Sequence, residues 1–139
     1  MQLDPVARTV SRKTIGAYEG LLGIGNPLHL DDSYAATTPF EDVIAHGMML
    51  LAYVSEMVAR AFSGGWYSGG ELDTTFVRPV RPGDTITTSG TITGQRRDAG
   101  RLTAVCDVCC KNQKGETVLK GTASALVDYI IAGVHELPS

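Results

Sequence analysis

The sequence predicts an α+β fold in which an antiparallel sheet wraps around one long central helix. Three observations carry that expectation. Residues Met48 to Phe62 are apolar around most of a helical circumference, the composition of a helix buried on several sides. Beyond Gly64-Gly65 the pattern changes to that of strands, with candidates over Leu72–Val80, Thr85–Gly94, Leu102–Cys110 and Thr117–Tyr129. The chain has 139 residues, 43% of them hydrophobic, which is enough for one core and too little for two ordinary domains. Residues 1–139 are therefore expected to form a single domain.

The elements follow in order. Val6 to Arg12 can make a short leading strand, and Thr14 to Leu22 carries Ile15, Tyr18, Leu21 and Leu22 at helical spacing with Thr14 as a possible cap. Gly23-Ile24-Gly25 followed by Asn26-Pro27 must end that helix in a tight, irregular connection, which delivers His29 to a fixed place. Asp31 to Thr38 suggests a short helix capped by Asp32 or Ser33 and stopped before Pro39. The central helix begins near Gly47, and Glu56 and Arg60, four apart, mark its solvated edge.

The strand candidates are separated by Arg81-Pro82-Gly83-Asp84, Arg97-Asp98-Ala99-Gly100 and Gln113-Lys114-Gly115-Glu116. This is turn chemistry, so an antiparallel meander is expected. A sheet of that kind buries an apolar helix by curling round it, the arrangement called a hotdog fold. It leaves an edge strand, and edges are commonly managed by pairing with a second copy, so a dimer is the expected minimum assembly. Ile130 to Ser139 shows no clear period.

Composition removes several classes of function. The formal net charge is −3 with no basic tract, which argues against a nucleic-acid partner. Met1-Gln2-Leu3-Asp4-Pro5 lacks the features of a secretory signal, and no apolar run approaches the ~20 residues that span a bilayer. The expectation is a cytoplasmic protein without membrane contact. Cys106, Cys109 and Cys110 crowd together, but on a strand Cys106 and Cys110 face one way and Cys109 the other. They read as reduced thiols packed in the core, with no metal site.

Asn26-Pro27-Leu28-His29-Leu30-Asp31, Tyr34-Ala35-Ala36-Thr37-Thr38, Phe40 and Ile44-Ala45-His46-Gly47-Met48 together resemble the MaoC-like hotdog proteins. A weaker match continues through Phe76-Val77-Arg78-Pro79-Val80-Arg81-Pro82-Gly83-Asp84. Known members are (R)-specific enoyl-CoA hydratases and 3-hydroxyacyl-thioester dehydratases. Their motif reads Gly-Asp-x-Asn-Pro-x-His, with the Asp and His as the acid/base pair that adds water to an acyl thioester. By position His29 matches the histidine, Asn26 the asparagine and Gly23 the glycine, whereas Ile24 stands where the aspartate would be. Isoleucine can neither take a proton nor orient a water.

The resemblance implies His29 as general acid or base and the Gly47 N–H, at the start of the central helix, as the donor that stabilises the thioester oxygen. It places Ser55 along the acyl pocket; read from the residues alone, Ser55 is equally a serine bonded to a carbonyl one turn earlier. His29 alone reads as a loop histidine satisfying backbone groups. Asn26 fixes the loop, Ile24 gives the pocket an apolar wall, and His46 holds the turn before the helix or serves as a reserve acid/base. His135 is assigned nothing. Substitutes for the missing carboxylate rank Asp42, Glu41, Asp31, then Glu19.

The implied activity is a lyase reaction on an acyl-CoA or acyl-carrier-protein thioester with no cofactor, the four arginines Arg78, Arg81, Arg96 and Arg97 serving the phosphates of either carrier. Two other readings stay open: altered thioester chemistry (isomerase, cyclase or decarboxylase), or a non-catalytic subunit paired with a catalytically complete homologue. A homodimer is the default assembly.

Overall fold

A computed structural model describes residues 1–22, 27–39 and 44–127. Its centre is a five-stranded antiparallel sheet formed by β1 (Ala7–Thr9), β2 (Glu71–Phe76), β3 (Thr85–Asp98), β4 (Arg101–Lys111) and β5 (Thr117–Leu126), in the order β1-β3-β4-β5-β2. Helices α1 (Arg12–Leu22), α2 (Pro27–Leu30), α3 (Asp32–Ala36), α4 (Gly47–Phe62) and α5 (Gly64–Gly69) complete the described elements.

The expected meander holds for β3, β4 and β5 only. β2 does not form a hairpin with β3; it pairs with β5 at the far edge, from Glu71 opposite Ser124 to Phe76 opposite Leu119. The reason lies in the connection. Arg81-Pro82-Gly83-Asp84 closes a turn against β1 instead, with Gly83 N–H donating to the Val10 carbonyl at 2.7 Å and Val10 N–H to the Asp84 carbonyl at 2.8 Å. The chain thus crosses from one sheet edge to the other, and residues 77–80 lie as a strap over the N-terminus of α4.

The β3–β4 hairpin turns on Ala99 and Gly100, both at positive φ (49° and 78°), the two-residue geometry whose twist matches that of paired strands. In β4 the expected alternation appears: Cys106, Val108 and Cys110 are buried, Asp107 is exposed and Cys109 is half-buried.

α4 lies against the sheet through Met49, Leu50, Val54, Met57 and Val58. At Gly90 the approach is close, since an added Cβ would stand 3.0 Å from both Met57 Cε and Leu3 Cδ1. Thr88, fully buried beside it, is satisfied: its hydroxyl accepts from Val6 N–H at 2.9 Å and donates to Met57 Sδ at 3.3 Å. The helix is buried on part of its circumference and keeps an open face. Met48 is 54% exposed and Ala52 and Ala61 are open, while Glu56 joins Arg60 and the Arg8 of β1 at 2.7 Å each.

Three local expectations shift. α1 starts two residues early because Ser11 and Thr14 cap it reciprocally: Ser11 N–H donates to Thr14 Oγ1 at 2.9 Å, and Thr14 N–H to Ser11 Oγ at 3.1 Å. α3 is capped by Asp31, whose carboxylate accepts from Tyr34 N–H at 3.1 Å. Gly64–Gly69, where the pattern was expected to change to strands, forms α5, whose Gly65 lies so close to β5 that a Cβ would sit 1.8 Å from the Leu126 carbonyl oxygen.

Candidate functional site

The N-terminus of α4 opens into a cavity of about 380 Å³, bounded by His29 on α2, Ile44 and Ala45 before the helix, Gly47 and Leu50 on it, and the strap from Phe76 to Val80. Two backbone bonds hold its walls: Ala45 N–H donates to the Val80 carbonyl at 2.8 Å, and Val77 N–H to the Val118 carbonyl at 2.9 Å. The lining is mostly apolar, and its polar groups are the His29 ring, Arg78 and backbone amides.

His29 sits in the single turn of α2, which Pro27 opens with a φ already suited to a helix. Its Nδ1 lies 2.7 Å from the Ile44 carbonyl oxygen. A carbonyl can only accept, so Nδ1 carries the proton and, in the neutral ring, Nε2 is a bare base. The fold therefore fixes both the tautomer and the direction of this imidazole.

Gly47 is the first residue of α4, and the preceding His46, extended at φ −64° and ψ 137°, makes no side-chain cap on the helix. The first amides of a helix have no intrahelical acceptor and favour negative charge. Met49 N–H already bonds the His46 carbonyl at 3.0 Å, which leaves the Gly47 amide at the cavity end. Glycine is needed here: a Cβ would stand 2.7 Å from Phe76 Cζ and would fill the approach to that amide.

Behind His29 lies a second imidazole. The His46 ring stacks on it, with centroids 3.7 Å apart and planes 22° off parallel. His46 is 5% exposed, and its Nε2 contacts Oε2 of Glu19, itself 4% exposed. Tyr18 meets the other side of His46 edge-on, its centroid 5.2 Å away. Among the described residues His46 Nδ1 is a buried ring nitrogen without a hydrogen-bond partner.

The candidate residues thus divide. His29 and Gly47 meet in one cavity, with His46 directly behind. Ser55 does not line it; its hydroxyl accepts from the Trp66 indole N–H at 2.8 Å, on the α5 side of the central helix. Asn26 and Ile24 lie outside the described residues, as do Glu41, Asp42 and His135. Of the other carboxylates, Asp31 is occupied as the α3 cap, and Glu19, placed last, is the one in contact with the histidine pair. A signal for it existed in the sequence. Glu19 follows Ile15 by four residues, so a carboxylate falls within the apolar stripe of α1, where only a partner makes it tolerable. No three His, Cys, Asp or Glu side chains among the described residues gather as a metal site.

Comparison with known proteins identifies the family. Residues 1–108 match the family model of the MaoC like domain. The chain is 32% identical over 128 residues to the (R)-specific enoyl-CoA hydratase of Rhodospirillum rubrum, covering 91% of this chain and 85% of that one. It is 27% identical over 125 residues to the mitochondrial 3-hydroxyacyl-[acyl-carrier-protein] dehydratase FERN of Solanum lycopersicum, covering 90% and 74%. Among solved structures, the (R)-hydratase of Aeromonas caviae superposes with a TM-score of 0.78 at 27% identity, covering 92% of this chain and 95% of that chain.

Proposed function

Since this chain belongs to the MaoC-like hydratase and dehydratase family of hotdog proteins, we propose that it adds water to a trans-2-enoyl thioester, or removes it from an (R)-3-hydroxyacyl thioester, with His29 as its base. The observation that carries this reading is the pairing, across one cavity, of a histidine whose Nε2 is left bare with an uncapped helix amide at a glycine.

In the hydration direction, His29 Nε2 takes a proton from water as its oxygen bonds to C3 of the enoyl chain. The C2=C3 electron pair moves to form the enolate, whose oxygen is held by the Gly47 N–H. Such preorganised donors are worth about 3–4 kcal/mol of transition-state stabilisation. His29 then returns that proton from Nε2 to C2, which gives the hydroxyacyl product and restores the neutral imidazole. The cavity is apolar along Leu50, Val77 and Val80, which suits an acyl chain, while Arg78, 54% exposed, stands at its mouth where the phosphates of CoA or of a carrier-protein arm would pass.

The working unit is proposed to be a homodimer. Among the described residues β2 pairs only with β5, and Phe76, Val77, Met48 and Leu30 expose apolar surface around the cavity mouth and the open face of α4. Sedimentation of the purified chain should give twice the protomer mass; a monomer that hydrates enoyl-CoA at full rate would remove this assembly from the mechanism.

The reaction is tested by following crotonyl-CoA consumption with the purified chain alone. Activity is expected, and His29→Ala should lower kcat by about 10²–10⁴-fold. Full activity in that variant excludes His29 as the base. A chain inert by itself that gains activity with Ile24→Asp, or on mixing with a homologue carrying the intact acidic motif, would favour altered chemistry or a subunit role.

A further inference from the structure

The cavity explains His29 and Gly47 but makes no use of the most costly feature beneath it, a buried carboxylate bonded to a buried imidazole. We propose that Glu19, acting through His46, is the positioning carboxylate of this site: it fixes the tautomer and ring plane of His46, against which the His29 ring is stacked. This rests on the reading of His29 as the base.

The geometry dictates the protonation pattern. Glu19 Oε2 faces His46 Nε2, and a carboxylate accepts, so the proton of the neutral imidazole is on Nε2. A second proton would have to sit on Nδ1, which is buried without a partner among the described residues, and an unpaired buried donor is expensive. The His46 ring, held in this way, lies face to face with that of His29 at 3.7 Å and backs the plane of that ring. His46 does not line the cavity, so neither it nor Glu19 touches substrate.

Other titratable groups stand around the pair. Tyr18, next to Glu19 on α1, meets the edge of His46, Arg78 comes from the strap across the cavity, and Asp31, beyond α2, is turned to the α3 amide. Only Glu19 joins the stack through a hydrogen bond among these contacts.

The test uses ¹⁵N-detected NMR of the histidine rings in the full chain, beside crotonyl-CoA kinetics. In the unmutated protein at pH 7, His46 should be the neutral Nε2–H tautomer and His29 the Nδ1–H tautomer. Observation of His46 as the Nδ1–H tautomer or as imidazolium would overturn the proposal, and this reading needs no variant. Glu19→Gln keeps a hydrogen-bond acceptor and removes the charge. In that variant kcat should drop at least ~10-fold with KM little changed. Glu19→Asp, which keeps the carboxylate, should retain more of kcat than Glu19→Gln. An unchanged kcat in Glu19→Gln, or equal losses in the two variants, would overturn it. Should the unmutated chain prove inert toward crotonyl-CoA, the hydratase reading fails while the two NMR observations still decide on Glu19.

Discussion

At Gly47 a single missing Cβ keeps an amide accessible. The nearest obstacle to that Cβ is the tip of the Phe76 ring, at 2.7 Å from Cζ, and Phe76 is 51% exposed and can swing outward. Gly47→Ala should therefore cost little stability and much activity: a melting temperature within a few degrees of the parent, and kcat/KM for crotonyl-CoA lower by about 10²-fold if the amide stabilises an enolate. A large loss of stability with the activity of the folded fraction unchanged would place the glycine in packing instead. His29 shows the complementary case, where one backbone carbonyl at 2.7 Å fixes the tautomer of a neutral imidazole.

Among the elements, β2 is the one whose place the turn signals mispredicted, and its site on the sheet depends on Gly121 of β5. A Cβ there would stand 2.1 Å from the Asp73 carbonyl oxygen and 2.7 Å from Thr74 Cα, both backbone atoms of a paired strand that cannot step aside. Gly121→Ala is expected to cost about 3 kcal/mol in urea unfolding, the upper range for an overpacked interior. It should also lower activity, because residues 77–80 continue directly from β2 and wall the cavity. A variant as stable as the parent would mean that β2 can detach freely from β5. α4 has the reverse logic. Its sequence fixes its ends, Gly47 and Phe62, from composition alone, yet the open positions Met48 and Ala52 show that one protomer does not cover it.

For the molecule as a whole, the buried thiols of β4 set a limit on alkaline stability. Burial pushes the Cys106 thiol up to about 11 and that of Cys110 up to about 12. In the unfolded chain both ionise near the ordinary thiol value, about 8.5. The folded state thus holds protons that the unfolded state has released, so this contribution is fully present below about pH 8.5 and declines as pH rises toward 11 and 12. Urea midpoints should fall over that window, and Cys110→Ala should flatten the decline relative to its own value at pH 7. A midpoint independent of pH up to 11 would show the thiols to be solvated. No helix among the described residues is long and apolar enough to cross a membrane.

What the sequence determined by itself was whatever depends on local pattern. The apolar run of α4 and the period-two alternation of Cys106, Val108 and Cys110 are short-range signals, and each lies in the element expected of it, whereas His29, expected in a loop, lies in the helical turn α2. The tertiary structure decided what depends on contacts between distant residues. Glu19 and His46 are 27 residues apart, and Ser55 turns to Trp66 rather than to the cavity. The order β5-β2 follows from a chain crossing, not from a turn. A carboxylate in an apolar stripe announces that it needs a partner, but which imidazole it meets is set only when α1 packs against the start of α4.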